Sequence, residues 1–575
     1  MTQSNESPHR SQRGRLATRI LSGLLAAAVL AACERAQPVG PDRAAPDAPS
    51  LTLNPACDPG LGGTTHTDSV LAPETWARAN NPHRVNTFIN IEGSGVLTLQ
   101  PGVIVCFGIQ GALLAENGGR LAATGLDTSR IVLTATDPDD GWWGVQLADT
   151  PSAASTLKHV RLEHTYPAYA LSSHDHHAVH IDSTVFRQNE NGLYLWGRGT
   201  TMRRSRVDTV VSASEPAVQL GNVVTWEKNV IRGAAGVGLF VQGTNGITLL
   251  GGRIEGSGGV GLKVTTTGAG FVDADPVRVT GGAGYPVELV VSAFPRIYPA
   301  LADQDSLLGN ARDTVVVTGG LLKQWALPGP AIPWRVTGDI DVQDPGILIP
   351  KPGAVLVFDS AAGITATNGG RVLARGTAAA PVLFTGSGWD GVVVEGAPTL
   401  GSYLTNVRME HALLAAYADG NHPLVIDSAV FRQNGRAISL WSAGSRLSRS
   451  RVDTTLTYGY PSVLLAADAI LASTLIRGSA YDGVWVYSDA VQVQSCEVRE
   501  SAWFGFLMWW AVPLHNSNLE DNLYGVVNLD TDTADAENNW WGDAAGPTGP
   551  NGDPVNGAVD YTPWRTTPYT LPYVP

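Results

Sequence analysis

The sequence predicts an all-β chain folded as a parallel β-helix solenoid, and three observations carry that prediction. The first is duplication. IDSTVFRQN at 181–189 returns as IDSAVFRQN at 426–434, KHVRLEH (158–164) as TNVRMEH (405–411), and ENGGRLAATG (116–125) as TNGGRVLARG (367–376). The order of features is preserved, so the chain reads as two tandem copies of one block forming a continuous rod. The second observation is a shorter period inside each block. Taking Val185 as the marker, the equivalent positions are Val207, Val230 and Ile254, then Val430, Val452, Leu475, Val498 and Leu519 in the second copy, at steps of 21 to 24 residues. A second alternating stretch follows each marker about a dozen residues later: GLYLW, AVQL, GLFV and GLKV, then AISLW, GVWVY and GFLMW. The third is what is missing. Outside the N-terminal segment no window sustains a 3.6-residue period, while 65 glycines, 36 prolines and only 16% charged residues favour short strands joined by turns. A period of this length with strands and turns but no helix is the signature of a β-helix: one coil cannot bury its own apolar faces, so coils stack. About eighteen coils at ~4.8 Å would extend roughly 85 Å.

In chain order, the first element is a targeting segment. Arg10, Arg13, Arg15 and Arg19 precede the apolar run ILSGLLAAAVLAA, which is too short for a permanent membrane span. It ends in LAAC, which resembles the lipobox of bacterial lipoproteins. That resemblance implies a signal peptide over 1–32, a lipidated Cys33 and an exported, lipid-anchored protein. Glu34 after the cysteine favours the outer membrane or cell surface. Residues 33–54 are rich in Pro and Ala and read as a tether. Removing the first 32 residues takes away four arginines and one glutamate, so the remainder sits near −17 against −14 for the whole chain. No Lys/Arg stripe relieves that charge, which argues against nucleic acid as a partner. Three cysteines remain. Export permits a disulfide between Cys57 and Cys106, and Cys496 sits in an apolar strand pattern as a small buried residue.

Block 1 covers 55–318, block 2 covers 319–536, and a cap and tail occupy 537–575. The openings VLTLQPGVIVCF and GILIPKPGAVLVF, the NGGR corners, GNARDTVVVTGG (309–320) and the ending ENNWWGDAAGPTGPNGDPVNGAVDYTPW (537–564) resemble the right-handed parallel β-helix proteins of the pectin-lyase-like superfamily. The resemblance spans nearly the whole mature chain and implies right-handed coiling. In the ending, Trp540 and Trp541 are expected to cover the last coil while Gly542, Pro547 and Pro550 stop strand addition.

A fold of this kind does not fix a reaction. Lyases and glycosidases on it need calcium-binding acidic clusters with a basic residue, or converging aspartates, and their motifs are absent. Asp137, Asp139 and Asp140 in DPDDGWWG are candidate calcium ligands, but the second copy keeps only Asp390, as expected of turn chemistry. His174, His176 and His177, with Asp175 and His180, form a candidate transition-metal tract of which the second copy retains only His422. Glu163 beside His164, repeated as Glu410 and His411, suggests an acid/base pair, yet strand alternation points the two side chains to opposite faces. No resident cofactor is expected.

The remaining signal is aromatic. Aligned on their glycines, the second strands place Trp441, Tyr487 and Trp509 in one register and Trp485 with Leu507 in another. With Val484, Val486, Phe506 and Met508 inward, those rings face outward and form a platform for a glycan or a partner protein. The first-copy equivalents Tyr194, Trp196 and Phe240 make a thinner patch, and Tyr561, Trp564, Tyr569 and Tyr573 in the tail offer a cover for the larger one. The expected function is a non-catalytic, monomeric, lipid-anchored envelope protein that binds polysaccharide or a surface protein and touches the membrane only through its N-terminal lipid. The alternatives are a polysaccharide lyase or glycoside hydrolase, and a structural spacer.

Overall fold

The computed structural model describes residues 55–571, apart from 175, 243–245, 266–270, 291–303, 321–323, 328–331 and 399. The expected signal peptide, Cys33, the tether, Asp175 and Tyr573 therefore lie outside the described residues. Leu53–Pro575 form one compact unit.

Within that unit the chain is a parallel β-helix. Each coil contributes up to three short strands, and each strand pairs in parallel with its counterpart in the coils before and after. In block 1 the first strands include Val160–Glu163, Val185–Asn189 and Arg206–Val210, the second strands Tyr169–Ser173, Asn191–Leu195 and Val218–Leu220, and the third strands Ser155–Lys158, Val179–Asp182 and Thr200–Arg203. The longest ladder holds 19 strands, close to the number of coils expected from the period. Inward side chains stack like on like into one continuous apolar core, from Val70 to Trp541. Strand pairing satisfies the backbone polar groups that this burial would otherwise leave without partners.

Most of the repeated nine-residue segment is architectural. Ile181 and Phe186, like Ile426 and Phe431, point inward and are buried. Asp182 accepts from Arg204 of the next coil at 2.8 Å, and Asp427 accepts from Arg449. Ser183, Gln188, Ser428 and Gln433 sit at φ of 51°, 52°, 53° and 53°, the left-handed corners that turn the chain from one strand to the next. Asn189 and Asn434 fold inward at the following corner, where each is about 1% exposed.

Residues of the first-strand ladder differ from the sequence expectation by one position. Val207 stacks on Phe186 rather than Val185, and the inward column runs Phe186, Val207, Ile231, Ile254. In block 2 it runs Phe431, Val452, Ile476, Val498, Leu519, while Val430 and Leu475 both pair with Arg451 on the outer face. VF, VI and LI each offer two apolar neighbours. A one-residue slip exchanges the two faces of a strand, and here Phe186, Ile231 and Ile476 take the interior.

The two blocks also meet out of phase. The second strand Val287–Val290 of block 1 pairs with Val315–Thr318, which pairs with Trp334–Val336. Trp334–Val336 is the block 2 counterpart of His83–Val85, a first strand. The second-strand ladder of block 1 therefore continues as the first-strand ladder of block 2, and equivalent faces of the two copies lie on different sides of the coil.

At the C-terminal end Trp541 is fully buried, with Tyr561 and Trp564 packed beyond it. Gly546 adopts φ 77°, and a Cβ there would lie 2.7 Å from the Trp564 ring, so only glycine fits. Trp540 does not share the cap: it is only partly buried, and its indole N–H points to Glu520 at 3.4 Å. At the other end Cys57 and Cys106 are joined by a disulfide, and Cys496 is a free, buried thiol.

Candidate functional site

The second strands of block 2, from Leu414–Ala418 through Arg436–Leu440, Val463–Leu465, Val484–Val486 and Phe504–Met508 to Tyr524–Asn528, form one ladder. Val484, Val486, Phe506 and Met508 are fully buried on its inner side. Its outer side carries the rings, and two columns flank its floor.

The first column lies just past the strand ends. Successive backbone N–H groups donate to the residue preceding the equivalent position one coil earlier, which places Glu395, Asp419, Trp441, Ala466, Tyr487, Trp509 and Leu529 one above another. The small Ala466 lets Trp441 and Tyr487 approach across it, with ring centroids 5.5 Å apart, and Tyr487 stacks on Trp509 at 5.6 Å and 15°. Trp485 stands on the strand itself, edge-on to Tyr487 at 5.9 Å. All four sequence-predicted rings are thus brought together.

The second column was missed by sequence reasoning. Tyr460, Tyr481, Trp503 and Leu523 precede the strands, each two residues ahead of the corner residues Ser462, Gly483, Gly505 and Gly525. Tyr481 lies 5.6 Å from Trp503 and 4.9 Å from Tyr458, and 6.4 Å from Trp485, which links the two columns. The signal was present in GYPS, YDG and WFG, at the same period as the strands.

Polar atoms on this face are largely committed inward. The Trp485 indole donates to Asp482 at 2.6 Å, and Asp482 also accepts the N–H of Phe504 at 3.0 Å. Burial pushes the Asp482 carboxyl above its ordinary range, and these hydrogen bonds pull it back. The Trp441 indole donates to Ser439 at 3.0 Å. Arg436 lies under the Tyr460 ring, 4.5 Å from its centroid. The face remains open to solvent: Trp441 is 40% exposed, Trp509 45% and Tyr458 67%. The described tail does not cover it. Tyr569 is tied instead to Asn518 at the end of the first-strand ladder, and Tyr561 and Trp564 close the cap.

The first-copy patch is thinner. Trp196 folds down onto Gly221, where a Cβ would lie 2.4 Å from the indole, and Phe240 stands between Gln219 and Lys263. Tyr194 and Trp196 stack, at 5.5 Å.

The metal candidates do not converge. Asp137 accepts the N–H of Asp139 at 3.0 Å in an exposed turn, and Asp140 is exposed. His177 turns inward, where its Nε2 meets Ser155 Oγ at 2.8 Å and its Nδ1 meets the Ala148 carbonyl at 2.8 Å. His422 repeats this with Ser402 at 2.8 Å and Glu395 at 3.2 Å, so the pair is a structural motif of the repeat. His174 packs against Tyr194, and His176 is exposed. Among the described residues no group of three or more His, Cys, Asp or Glu is placed to hold a metal ion.

Nor do Glu163 and His164 form an acid/base pair. Glu163 is held by Arg161 at 3.2 Å and Arg187 at 2.6 Å, and His164 lies past the strand in a left-handed corner, bonded to Gln188 at 3.0 Å. A groove of about 600 Å³ lined by Arg161, Arg187, Arg204 and Arg206 recurs in block 2, at about 510 Å³, with Arg408, Arg432, Arg451 and Arg477. Most of these guanidinium groups are neutralised by Glu163, Asp182, Asp208, Glu410 and Asp453 in alternating outward columns. Comparison of the chain with protein-family models, curated proteins and solved structures finds no match in any of the three.

Proposed function

We propose that this chain is a non-catalytic, lipid-anchored protein of the cell envelope, held by Cys33 at the outer membrane or cell surface, which binds a glycan or a partner protein through the aromatic face of block 2. One observation carries the reading: Trp441, Tyr487 and Trp509 lie in one column over the coils, with Trp485 beside them, and two of the largest rings stay 40% and 45% exposed. An exposed cluster of large rings on a rigid sheet costs solvation free energy unless a ligand uses it. A pre-ordered sheet also removes much of the entropy cost of binding.

The test is binding to a glycan array and to envelope-protein fractions, with the wild type against Trp441→Ala and Trp509→Ala. The expected result is a retained ligand whose binding falls in both variants. Binding that is indifferent to both rings would overturn the reading. Release of reducing ends or unsaturated products from pectin, alginate or other uronate polymers, with or without calcium, would replace it with an enzyme.

A further inference from the structure

The aromatic face is acidic and almost free of cations. From this we infer, resting on the binding role just proposed, that its ligand is an uncharged polysaccharide chain lying along the ring column, and not a uronate-rich or sulfated polymer. The column that carries the rings begins with two carboxylates, Glu395 and Asp419, directly below Trp441. The turns that follow the rings add Asp468, which accepts the Gly444 N–H, the exposed Asp489, and Asp530, which accepts the Ala511 N–H at 3.0 Å. On the strands of the ladder from Arg436 to Asn528 the one basic residue is Arg436, and the Tyr460 ring already covers it. Of the other arginines of these coils, Arg432 is exposed on the first-strand ladder and Arg446 on the third, Arg449 at the corner past the third strand is held by Asp427, and on the first-strand ladder Arg451 and Arg477 are held by Asp453 and Arg499 by Glu497 and Glu520.

Charge decides between ligand classes. A polyanion laid on this column would bring its carboxylates or sulfates beside Asp419, Asp468 and Asp489, where the ladder itself offers only the ring-covered Arg436 to offset them, and like charges juxtaposed at an interface are costly. A neutral sugar meets no such penalty. Its C–H faces pack on the rings, and its hydroxyl groups are donors in search of acceptors. The face supplies acceptors, because the indole donors of Trp441 and Trp485 are spent on Ser439 and Asp482 while Asp489 is exposed and Asp468, though it accepts the Gly444 N–H, is exposed too. A basic peptide would satisfy the charge but not use the regular ring spacing, and it stands as a separate outcome of the test.

The experiment is affinity electrophoresis and calorimetry on the full mature chain with xyloglucan and a mixed-linkage β-glucan as uncharged probes, polygalacturonate and alginate as charged probes, and polylysine as a basic one, at low and moderate salt. The expected result is salt-insensitive binding of an uncharged glycan. It should weaken roughly tenfold or more in Trp441→Ala and Trp509→Ala, and several-fold in Asp489→Asn, with unchanged circular dichroism in all variants. Ring-dependent binding of the polyuronates or of polylysine alone would overturn the inference while leaving the aromatic face as a binding surface. Absence of ring-dependent binding to every probe would overturn it and remove the glycan branch of the proposed function as well.

Discussion

Asn434 reaches back one coil: its Oδ1 accepts the backbone N–H of Ala412 at 2.9 Å, and its Nδ2 donates to the Met409 carbonyl at 3.0 Å. Asn189 does the same for Thr165 and Leu162, Asn229 for Ser205 and Met202, Asn522 for Ser501 and Val498, and Asn539 for Ser517 and Leu514. Each amide satisfies a corner donor and a corner acceptor that the strand ladders leave behind, in the buried seam between coils. Asn434→Ala removes both partners at once and should destabilise the chain by about 1–3 kcal/mol. Asn434→Asp should be no better, since it loses the donor and buries a charge. Denaturant unfolding of both variants checks this, and a cost within error of zero would contradict it.

The register of the first strand makes a sharper claim. Phe431 is fully buried between Met409 and Val452, whereas Val430 lies outward between Arg408 and Arg451. Phe431→Ala should therefore cost about 3–5 kcal/mol, and Val430→Ala less than about 1 kcal/mol. A larger loss for Val430→Ala than for Phe431→Ala would mean that the strand is set in the opposite register.

This contrast also marks where sequence reasoning stops. The repeat, the parallel stack and the outward ring column of Trp441, Tyr487 and Trp509 are legible because a period forces like residues over like. Which of two adjacent apolar residues enters the core is not, since Val430 and Phe431 fit the alternation equally well and only volume and neighbours choose between them. The one-strand offset between the blocks was hidden for a similar reason: it shows only in the pairing of Val287–Val290 with Val315–Thr318 and of that strand with Trp334–Val336, and local patterning carries no record of face. The inward turn of His177 was obscured because a histidine-rich tract looks polar, although one of its members spends both nitrogens on Ser155 and Ala148.

Those buried histidines give the stability a pH dependence. Burial lowers the pKa of His177 and His422 below the ordinary 6.5, and the carbonyls of Ala148 and Glu395 oppose this only in part. The unfolded chain therefore takes up these protons near pH 6.5, while the folded chain stays neutral to lower pH. In that interval the unfolded state binds more protons, so the contribution is complete above pH 6.5 and is lost as the pH falls below it. Melting temperatures should drop between pH 7.5 and 5.5, and the double variant His177→Leu, His422→Leu should show a smaller drop. A double variant as pH-sensitive as the wild type would place the effect elsewhere, for example in the His66–His83 pair, whose members are also shifted down by burial.

The disulfide closes a loop of 49 residues between Cys57 and Cys106 and ties the first short turn to the coil that carries Cys106. Reduction, or Cys57→Ser, should cost about 2–4 kcal/mol. Because each coil of a solenoid contacts mainly its neighbours, the loss should be local. Hydrogen exchange should rise in Thr64–His66 and His83–Val85 while Val430–Asn434 stays protected, and a uniform rise along the chain would show that the stack unfolds as one unit instead.

The rings of the binding face should behave in the opposite way from those of the core. Trp142 stacks on Phe107 at 3.8 Å and Trp389 on Phe358 at 4.3 Å, and both indoles are fully buried with their N–H groups on the Glu163 and Glu410 carbonyls. Either one replaced by Ala leaves a cavity and an unpaired carbonyl, at a cost of about 3–5 kcal/mol. Trp441 and Trp509 lie outside the ladder, 40% and 45% exposed, and the Trp441 indole meets the Ser439 hydroxyl rather than a core backbone carbonyl. Their replacement by Ala should cost less than about 1 kcal/mol, near the range of ordinary surface changes. Thermal unfolding of the four single variants separates the two groups. If Trp441→Ala or Trp509→Ala destabilised the chain as much as Trp389→Ala, the outer rings would be part of the fold, and their exposure would need no ligand to explain it.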